Sequence, residues 1–284
     1  MGTNFPLVRA CIFDVDGTLL NSEDIYTKIY NNILREYGKP DYPWSIKATQ
    51  QSRGTPGTLR LIEWAQLPLS VSDWKAKEKA HIDLFTKSKL LPGISTLLQT
   101  LKTQTSPTIK LALASSASRQ SFSLKTSHIS SISNIFPEAF CRIFGDDPDM
   151  TGCEKKPSPD IFLLALKRLN DMLVADGEPP LKAEECLVFE DSIAGVESAR
   201  RANMRVIWVP HPGLAEVCRG REMDVLMGRT ERDGERPDFS ATGLEEEKQN
   251  LSRGKRIMSE DGWAEMRVSL ENFPYEEYGI QLTF

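Results

Sequence analysis

The chain has 284 residues, of which 40% are hydrophobic and 26% are charged. A length above the ~100–200 residues of one typical domain predicts either a large domain or a core with an insertion, and the composition excludes wholesale disorder and a membrane bundle. The net charge of −5 provides no basic surface for nucleic acid or anionic lipid. We therefore expect a monomer that acts on a small molecule and binds neither nucleic acid nor membrane.

The five cysteines are far apart and form no C-x-x-C pair. An odd number at such spacings argues against a disulfide framework and against a zinc site. Residues 1–9 lack the layout of a signal peptide, and no apolar run approaches the ~20 residues of a membrane-spanning helix. These features predict a cytoplasmic protein.

Short apolar runs followed by polar or proline-containing turns have the pattern of buried strands. They are Val8–Phe13, Ile109–Ala114, Cys141–Phe144, Cys186–Phe189 and Arg205–Val209. Amphipathic helical segments lie between several of these runs, at Ile94–Leu101, Pro159–Leu169 and Ala194–Ala202. Repeated strand–helix units predict an α/β fold with a doubly wound parallel sheet.

The stretch from Ser22 to Ser88 differs, because its apolar residues recur at helical spacing, as at Ile25, Ile29 and Ile33. It contains no convincing strand pattern. We expect residues 22–88 to form a helical cap domain, inserted into a core made of residues 1–21 and 89–284.

The segment Arg219–Glu260 is rich in charges of both signs and has no apolar period. This composition predicts a mobile loop inserted in the core. Apolar alternation resumes at Ala264–Leu270, which predicts a late edge strand.

Two aspartates, Asp14 and Asp16, follow the first predicted strand, and Gly17 permits a tight turn after them. Carboxylates in this position can divide the work of phosphoryl transfer: one attacks phosphorus and forms an aspartyl-phosphate, and the other moves protons. Acids in a polar turn also occur in solvated loops and as helix caps. This cluster alone leaves both interpretations open.

Two further clusters carry groups that suit a phosphate. Ser115 and Ser116 follow a predicted strand, where hydroxyl and backbone N–H groups can hold a phosphoryl oxygen, although a serine there can also be a plain N-cap. Lys156, fixed by Pro157, can neutralise the phosphoryl group and the attacking carboxylate. The alternative is a solvated lysine in a proline-rich turn.

The fourth cluster, Glu190 and Asp191, follows the predicted strand Cys186–Phe189. Magnesium prefers carboxylate oxygens, so these acids opposite Asp14 would complete its coordination shell, whereas Asp191 or Ser192 could also cap the next helix. Ligands bind beyond the carboxyl ends of parallel strands. Four clusters associated with such ends, in the order acid pair, hydroxyl, lysine, acid pair, favour one phosphoryl-transfer site.

These clusters resemble motifs I to IV of the haloacid dehalogenase (HAD) superfamily. The matching segments are Phe13-Asp14-Val15-Asp16-Gly17-Thr18-Leu19, Leu113-Ala114-Ser115, Lys156-Pro157 and Glu190-Asp191. The resemblance extends over most of residues 8–210. It implies a Rossmann-like core, an inserted helical cap, Mg²⁺ as cofactor and an aspartyl-phosphate intermediate.

The resemblance also implies a role for each motif residue. Asp14 would be the nucleophile and a metal ligand, and Asp16 would be the general acid/base and, through its carbonyl, a metal ligand. Phosphate-binding residues would be Ser115, Ser116 and Lys156. Asp191 would bind the metal, and Glu190 would support it through water.

A closer similarity is to pseudouridine-5′-phosphatase-like members of the superfamily, in three longer segments. These are Phe144-Gly145-Asp146-Asp147-Pro148, Lys156–Leu163 and Cys186–Asp191. Among the departures from that pattern, Asn21 stands where an acid is usual and Ser52 where a glycine is expected, both near where substrate would enter. In the cap, we expect Arg53 to reach an anionic substrate; the alternative is an arginine exposed on a loop.

The leading prediction is a magnesium-dependent phosphomonoesterase for a small sugar or nucleoside phosphate, with pseudouridine 5′-phosphate among the candidates. A phosphosugar mutase of β-phosphoglucomutase type shares the core residues, but such mutases carry a histidine where this chain has Tyr26. The dehalogenase branch is disfavoured because Asp16 and the magnesium acids are present. A non-catalytic binding protein is the alternative of another class, and the four intact clusters disfavour it.

Overall fold

The computed structural model describes residues 5–137, 141–230 and 256–283. Seven strands are present in this part of the chain. They are β1 (Ala10–Phe13), β2 (Lys110–Ser115), β3 (Arg142–Phe144), β4 (Cys186–Glu190), β5 (Arg205–Trp208), β6 (Ile257–Met258) and β7 (Ala264–Met266). They form one sheet with the order β3-β2-β1-β4-β5-β7-β6.

The described helices connect and follow these strands. The α-helices are α1 (Ser22–Glu36), α2 (Trp44–Lys47), α3 (Thr55–Trp64), α4 (Val71–Ala80), α5 (Ile94–Thr103), α6 (Arg119–Thr126), α7 (Ser130–Ile135), α8 (Asp160–Ala175), α9 (Ile193–Arg201), α10 (Pro212–Val217) and α11 (Glu222–Leu226). Short 3₁₀-helices span Ile82–Lys87, Pro148–Met150, Ala183–Glu185 and Tyr275–Tyr278. Within the described ranges, none of the helices combines the length and hydrophobicity needed to cross a bilayer.

The sheet is parallel except at one edge, where β6 runs antiparallel to β7. The predicted α/β fold with a doubly wound, Rossmann-like parallel sheet is therefore confirmed. Strand β1 pairs with β2 on one side and with β4 on the other. The strand order reverses at β1, and in such sheets the ligand crevice opens beyond the strand ends at this point.

The central strands are continuous apolar runs because helices cover both faces of the sheet. All four residues of β1 are buried. Phe13, the last of them, stacks on Phe189 of β4 with ring centroids 4.5 Å apart. This packing fixes the relative position of the two strand ends that carry acids.

Residues 22–87, all of which are described, contain helices α1 to α4 and a 3₁₀-helix but no strand. Their buried side chains form an apolar cluster separate from that of the sheet, with Ile29, Ile33, Trp74 and Phe85 among its members. The helical region therefore has its own hydrophobic core, and we refer to it as the cap.

Two chain segments join the cap to the sheet, and they run side by side. Leu20 and Leu90 form an antiparallel bridge. The N–H of Asn21 donates to the carbonyl of Lys89 at 3.0 Å, and the N–H of Lys89 donates to Asn21 Oδ1 at 2.8 Å. The side chain of Asn21, one of the departures noted above, therefore ties the two linkers together.

The expectation of a mobile loop over Arg219–Glu260 is wrong at both ends of that segment. Helix α11 buries Val225 and Leu226, and β6 joins the sheet. Elements of two to five residues are too short to produce an apolar period, so the sequence pattern does not reveal them. Residues 231–255 lie outside the described residues.

The predicted late strand exists as β7, which pairs with β5. It is second from the edge because β6 covers its other side. It also ends earlier than the apolar alternation suggests: Leu270 is buried, whereas Val268 is exposed.

Candidate active site

Two adjacent strands bring acidic side chains to one edge of the sheet. Asp14 follows β1, and its N–H donates to the carbonyl of Phe189 at 2.9 Å. Glu190 is the last residue of β4, and Asp191 follows it. All three acids are buried. The structure therefore brings the first and fourth predicted clusters together.

Lys156 lies between these acids. Its Nζ donates to Asp14 Oδ1 at 2.6 Å, to Glu190 Oε1 at 2.6 Å and to the carbonyl of Ala114 at 3.2 Å, which accounts for all three ammonium protons. Burial alone would lower the pKa of Lys156, but Asp14 and Glu190 outweigh it and hold the pKa above its usual value. Lys156 is a fixed positive charge beside Asp14, and the solvated-lysine alternative is wrong.

The acids carry more negative charge than Lys156 balances. Burial, opposed by Lys156 but reinforced by Glu190, raises the pKa of Asp14 to about 7. Burial and the nearby Glu190 and Glu23 carboxylates raise the pKa of Asp191 well above its usual range. Because neighbouring carboxylates hinder one another's ionisation, a cation bound here would be stabilised.

Glu190 stabilises the turn that contains Asp191. Its Oε2 accepts hydrogen bonds from the N–H groups of Asp191 and Ser192, both at 2.9 Å. Its Oε1 accepts from Lys156. Both carboxylate oxygens are therefore engaged with the protein, which makes Glu190 a support for the site's geometry.

Gly195 on α9 leaves the space that the Glu190 carboxylate occupies. A Cβ at this position would lie 1.8 Å from Glu190 Oε1. We expect Gly195→Ala to lower the free energy of unfolding by about 3 kcal/mol, because hydrogen bonds to both oxygens of the Glu190 carboxylate prevent it from moving aside. Urea titration measures the loss.

Gly177→Ala is the matched control for this variant. A Cβ at Gly177 meets nothing within 4 Å, although its φ of +75° disfavours alanine. That strain alone costs about 1–2 kcal/mol. An equal loss in the two variants would show that crowding at Glu190 does not matter.

Asp16 is in a turn that only glycine completes. Gly17 has a φ of +81°, and a Cβ there would lie 2.2 Å from Asp191 Oδ2. Asp16 Oδ1 accepts hydrogen bonds from Ser22 Oγ at 2.5 Å and from Lys125 Nζ at 2.6 Å. The second acid therefore lies close to the first but is held by different partners.

Lys125 is a site residue that the sequence motifs do not reveal, and its side chain is completely buried. It shares the buried face of α6 with Phe122 and Thr126. A lysine three residues after a buried phenylalanine is the only local indication of its role. The partner that explains it, Asp16, is 109 residues away in the chain.

The two serines of the second cluster lie where β2 ends. Ser115 Oγ accepts a hydrogen bond from the N–H of Ala117 at 3.2 Å. Ser116 Oγ is buried and has no hydrogen-bond partner in the described part of the chain. The N-cap of α6 is Ser118, whose side chain accepts from the N–H of Ser121 at 3.1 Å. The N-cap alternative therefore does not account for Ser115 or Ser116.

These residues border a cavity of about 210 Å³ between the sheet and the cap. The core contributes Ala117, Lys155 and five predicted site residues, which are Asp14, Asp16, Ser115, Ser116 and Asp191. The cap contributes a polar wall, whose members include Glu23, Tyr26, Tyr30, Lys47, Gln50, Gln51, Ser52, Thr58 and Glu78. Gln51 Nε2 donates to Asp191 Oδ2 at 3.0 Å, so the cap contacts the acid cluster directly.

Ser52 has a φ of +62°, in the left-handed region that favours glycine. It is the cap position where the family pattern expects glycine. Its Oγ accepts a hydrogen bond from Ser192 Oγ at 3.4 Å. The departure strains the backbone but forms a contact between cap and core that glycine cannot make.

The structure does not bring Arg53 to the cavity, whose lining includes its neighbours Ser52 and Gly54. Arg53 is only 7% exposed, so the exposed-loop alternative is wrong as well. Burial and repulsion from Arg60 lower its pKa to about 10, and Glu197 opposes this effect. Arg60 is on α3 of the cap and Glu197 is on α9 of the core, so the Arg53 side chain lies at the contact between cap and core.

The residues at the strand ends fit a magnesium ion. In residues 5–137, 141–230 and 256–283, no three His, Cys, Asp or Glu side chains are arranged to hold a metal by themselves. Mg²⁺ typically takes one or two carboxylates together with water and substrate phosphate. Asp14 and Asp191 supply two carboxylates, and their raised pKa values indicate uncompensated charge.

Comparison with known proteins agrees with this geometry. Residues 8–203 match the haloacid dehalogenase-like hydrolases. The chain therefore belongs to the haloacid dehalogenase-like hydrolase family. The prediction of an enzyme, a HAD-family phosphatase, is confirmed, and the non-catalytic alternative is wrong.

Individual relatives cover most of the chain. A protein named "Probable pseudouridine-5′-phosphatase" from Saccharomyces cerevisiae is 39% identical over 79% of this chain and 91% of its own length. One with the same description from Drosophila melanogaster is 35% identical over 77% of this chain and 89% of its own. The crystal structure of CbbY from Rhodobacter sphaeroides in complex with phosphate has a TM-score of 0.54 and 25% identity, over 73% of this chain and 88% of that one.

Proposed function

We propose that the enzyme hydrolyses a small sugar or nucleoside phosphate through an aspartyl-phosphate on Asp14. The observation that carries the proposal is the contact between Asp14 and Lys156, 2.6 Å long, at the sheet side of a cavity of about 210 Å³. A carboxylate beside a fixed ammonium is placed to attack a phosphoryl group whose charge the ammonium helps to offset.

The reaction has two half-reactions. A carboxylate oxygen of Asp14 attacks phosphorus, the ester P–O bond breaks, and Asp16 gives its proton to the departing alkoxide. Ionised Asp16 then takes a proton from water, the resulting hydroxide attacks phosphorus, and the bond between phosphorus and Asp14 breaks. Inorganic phosphate leaves, and both aspartates return to their starting states.

Ser115 and Ser116 hold the phosphoryl oxygens in this scheme, and Lys156, whose three protons are bonded to the protein, offsets the phosphoryl charge from its place behind Asp14. Ser116 Oγ supports the assignment because it is buried at the cavity and makes no hydrogen bond within the described part of the chain. A buried hydroxyl without a partner costs free energy unless a ligand satisfies it. A phosphoryl oxygen is an acceptor suited to that role.

We propose Mg²⁺ as the cofactor, held by the carboxylates of Asp14 and Asp191 and the carbonyl of Asp16. Glu190 supports this arrangement through water and by bracing the Asp191 turn. When bound, the ion neutralises charge that builds up as the phosphoryl group meets the carboxylates.

Removal of divalent cations with EDTA is expected to stop phosphate release, and added Mg²⁺ is expected to restore it. Asp191→Asn should raise the Mg²⁺ concentration needed for half-maximal activity. Asp171→Asn, a change of the same kind at a residue whose side chain is 60% exposed, should leave that concentration unchanged. Full turnover in metal-free buffer would rule out the metal requirement.

The substrate class follows from the cap wall and the relatives' names. Gln50, Gln51, Thr58 and Glu78 offer hydrogen-bonding groups that suit sugar hydroxyls or a nucleobase. Two relatives are named as probable pseudouridine-5′-phosphatases. We therefore propose that pseudouridine 5′-phosphate is a candidate substrate.

A panel of phosphate esters tests the function. Pseudouridine 5′-phosphate, ribose 5-phosphate, glycerol 3-phosphate and glucose 1-phosphate are each incubated with enzyme and Mg²⁺, and inorganic phosphate is measured. We expect one of them to exceed p-nitrophenyl phosphate in kcat/KM by at least about tenfold. Conversion of glucose 1-phosphate to an isomer without phosphate release would instead identify the mutase alternative.

We also propose that the enzyme works as a cytoplasmic monomer on a small phosphorylated metabolite. The five cysteines are free thiols, four of them buried, which agrees with a reducing compartment.

A further inference from the structure

The ammonium group of Lys125 lies where the catalytic turn meets the cap. Lys125 is on α6 of the core, and its Nζ donates to Asp16 Oδ1 at 2.6 Å and to the hydroxyl of Tyr26 at 3.0 Å. Tyr26 is on α1 of the cap. The same Nζ lies 4.7 Å and 4.6 Å from the ring centroids of Tyr26 and Phe85. Core and cap therefore enclose one buried charge together.

A buried lysine is stabilised only when its charge is paired. Burial alone would lower the pKa of Lys125, but Asp16 and Tyr26 outweigh it and hold the pKa above its usual value. The flanking rings add cation–π attraction. A methionine would fill similar space without the cost of burying a charge, so the role of this lysine must depend on its charge.

The charge of Lys125 complements that of Lys156. Asp14 and Asp16 are two carboxylates in one turn and repel each other; after burial and Glu190, Asp16 contributes the smallest of the effects that raise the pKa of Asp14. Each aspartate has its own buried lysine at 2.6 Å: Lys156 for Asp14 and Lys125 for Asp16. Without Lys125, Ser22 would be the one side chain among the described residues that still donates to Asp16 Oδ1.

We infer that Lys125 is a positioning residue that holds the general acid/base Asp16 by one carboxylate oxygen while the other faces the bridging oxygen of the ester. Its bond to Tyr26 links this placement to the cap. The inference rests on the proposed role of Asp16 and extends it to a residue that does not border the cavity. Lys125 acts through Asp16 and does not touch substrate.

Lys125→Met is the first test variant. For the best alkyl phosphate of the panel, we expect kcat to fall about 10²-fold, within the range of general acid–base catalysis, with KM changed by less than about twofold. With p-nitrophenyl phosphate, rapid-quench measurements should show nearly normal phosphoenzyme formation and slowed hydrolysis. Lys125→Arg should restore most of kcat, and Lys167→Met, at a residue whose side chain is 68% exposed, should change nothing.

A double-mutant cycle separates positioning from general stability. In the Asp16→Asn background, Lys125→Met should cause no further loss of kcat, because the group through which it acts is already gone. A further loss of kcat equal to that in the wild-type background would overturn the inference. So would an equal slowing of phosphoenzyme formation from alkyl and nitrophenyl esters.

Tyr26→Phe provides a variant that keeps the lysine and the ring if Lys125→Met does not fold. It removes the hydroxyl bonded to Lys125 and should lower kcat by a smaller factor than Lys125→Met does. Phosphoenzyme formation should again slow more for alkyl esters than for p-nitrophenyl phosphate. Wild-type kinetics in the folded Lys125 and Tyr26 variants would refute the inference alone. Full activity of Asp16→Asn would refute the proposed role of Asp16 itself.

Discussion

Asp14→Asn is expected to abolish phosphate release from every ester, alkyl or aryl, by about 10⁴-fold or more. An amide cannot form the acyl phosphate. Glu190, which is bonded to Lys156 at the same distance as Asp14, cannot replace it, because both Glu190 oxygens are engaged and Glu190 does not line the cavity. The measurement is release of inorganic phosphate from an alkyl ester and from p-nitrophenyl phosphate. Incubation with ³²P-labelled ester should label the wild-type enzyme and not the variant.

The variant should remain folded, which separates this expectation from a loss of structure. Lys156 keeps its bonds to Glu190 and to the carbonyl of Ala114, so the ammonium is not left unpaired. Thermal unfolding of Asp14→Asn should therefore be cooperative. Asp171→Asn serves as the control and should retain full activity. Substantial turnover in folded Asp14→Asn would exclude Asp14 as the nucleophile.

The sheet was predictable because its strands are buried on both faces. Strand β1 and strand β4 are continuous apolar runs that stop at acids, and the parallel pairing follows from the helices between strands. The strand-end rule then predicts that Asp14, Asp191 and Ser115 meet, since parallel strands present their carboxyl ends at one edge. Local sequence was sufficient for this part of the site.

Contacts between residues far apart in the chain were not predictable in the same way. Gln51 reaches Asp191 across 140 residues of sequence, and Lys125 reaches Asp16 across 109. The first pair depends on how the cap packs on the sheet and the second on how α6 packs beside the catalytic turn, and no local period encodes either arrangement. Arg53 illustrates the same limit: its loop borders the cavity, but its side chain is buried beside Arg60 and Glu197.

Asp16→Asn is expected to slow alkyl phosphates severely and p-nitrophenyl phosphate much less in the first half-reaction. An alkoxide must be protonated as it leaves, whereas a nitrophenolate leaves readily without a proton. Loss of the proton donor therefore slows phosphoenzyme formation mainly from the alkyl ester. General acid–base catalysis typically contributes ~10²–10⁴-fold, and we expect the alkyl ester to lose activity within that range.

Hydrolysis of the aspartyl-phosphate should slow for both esters, because the attacking water loses its general base in either case. Phosphoenzyme should therefore accumulate when Asp16→Asn is mixed with p-nitrophenyl phosphate, and rapid-quench measurement of acid-stable label on the protein detects it. Asparagine can still accept hydrogen bonds from Ser22 and Lys125 through its carbonyl oxygen, so the turn should keep its shape. If no phosphoenzyme forms and both esters lose activity equally, Asp16 positions the metal or the backbone, and another group must move the proton.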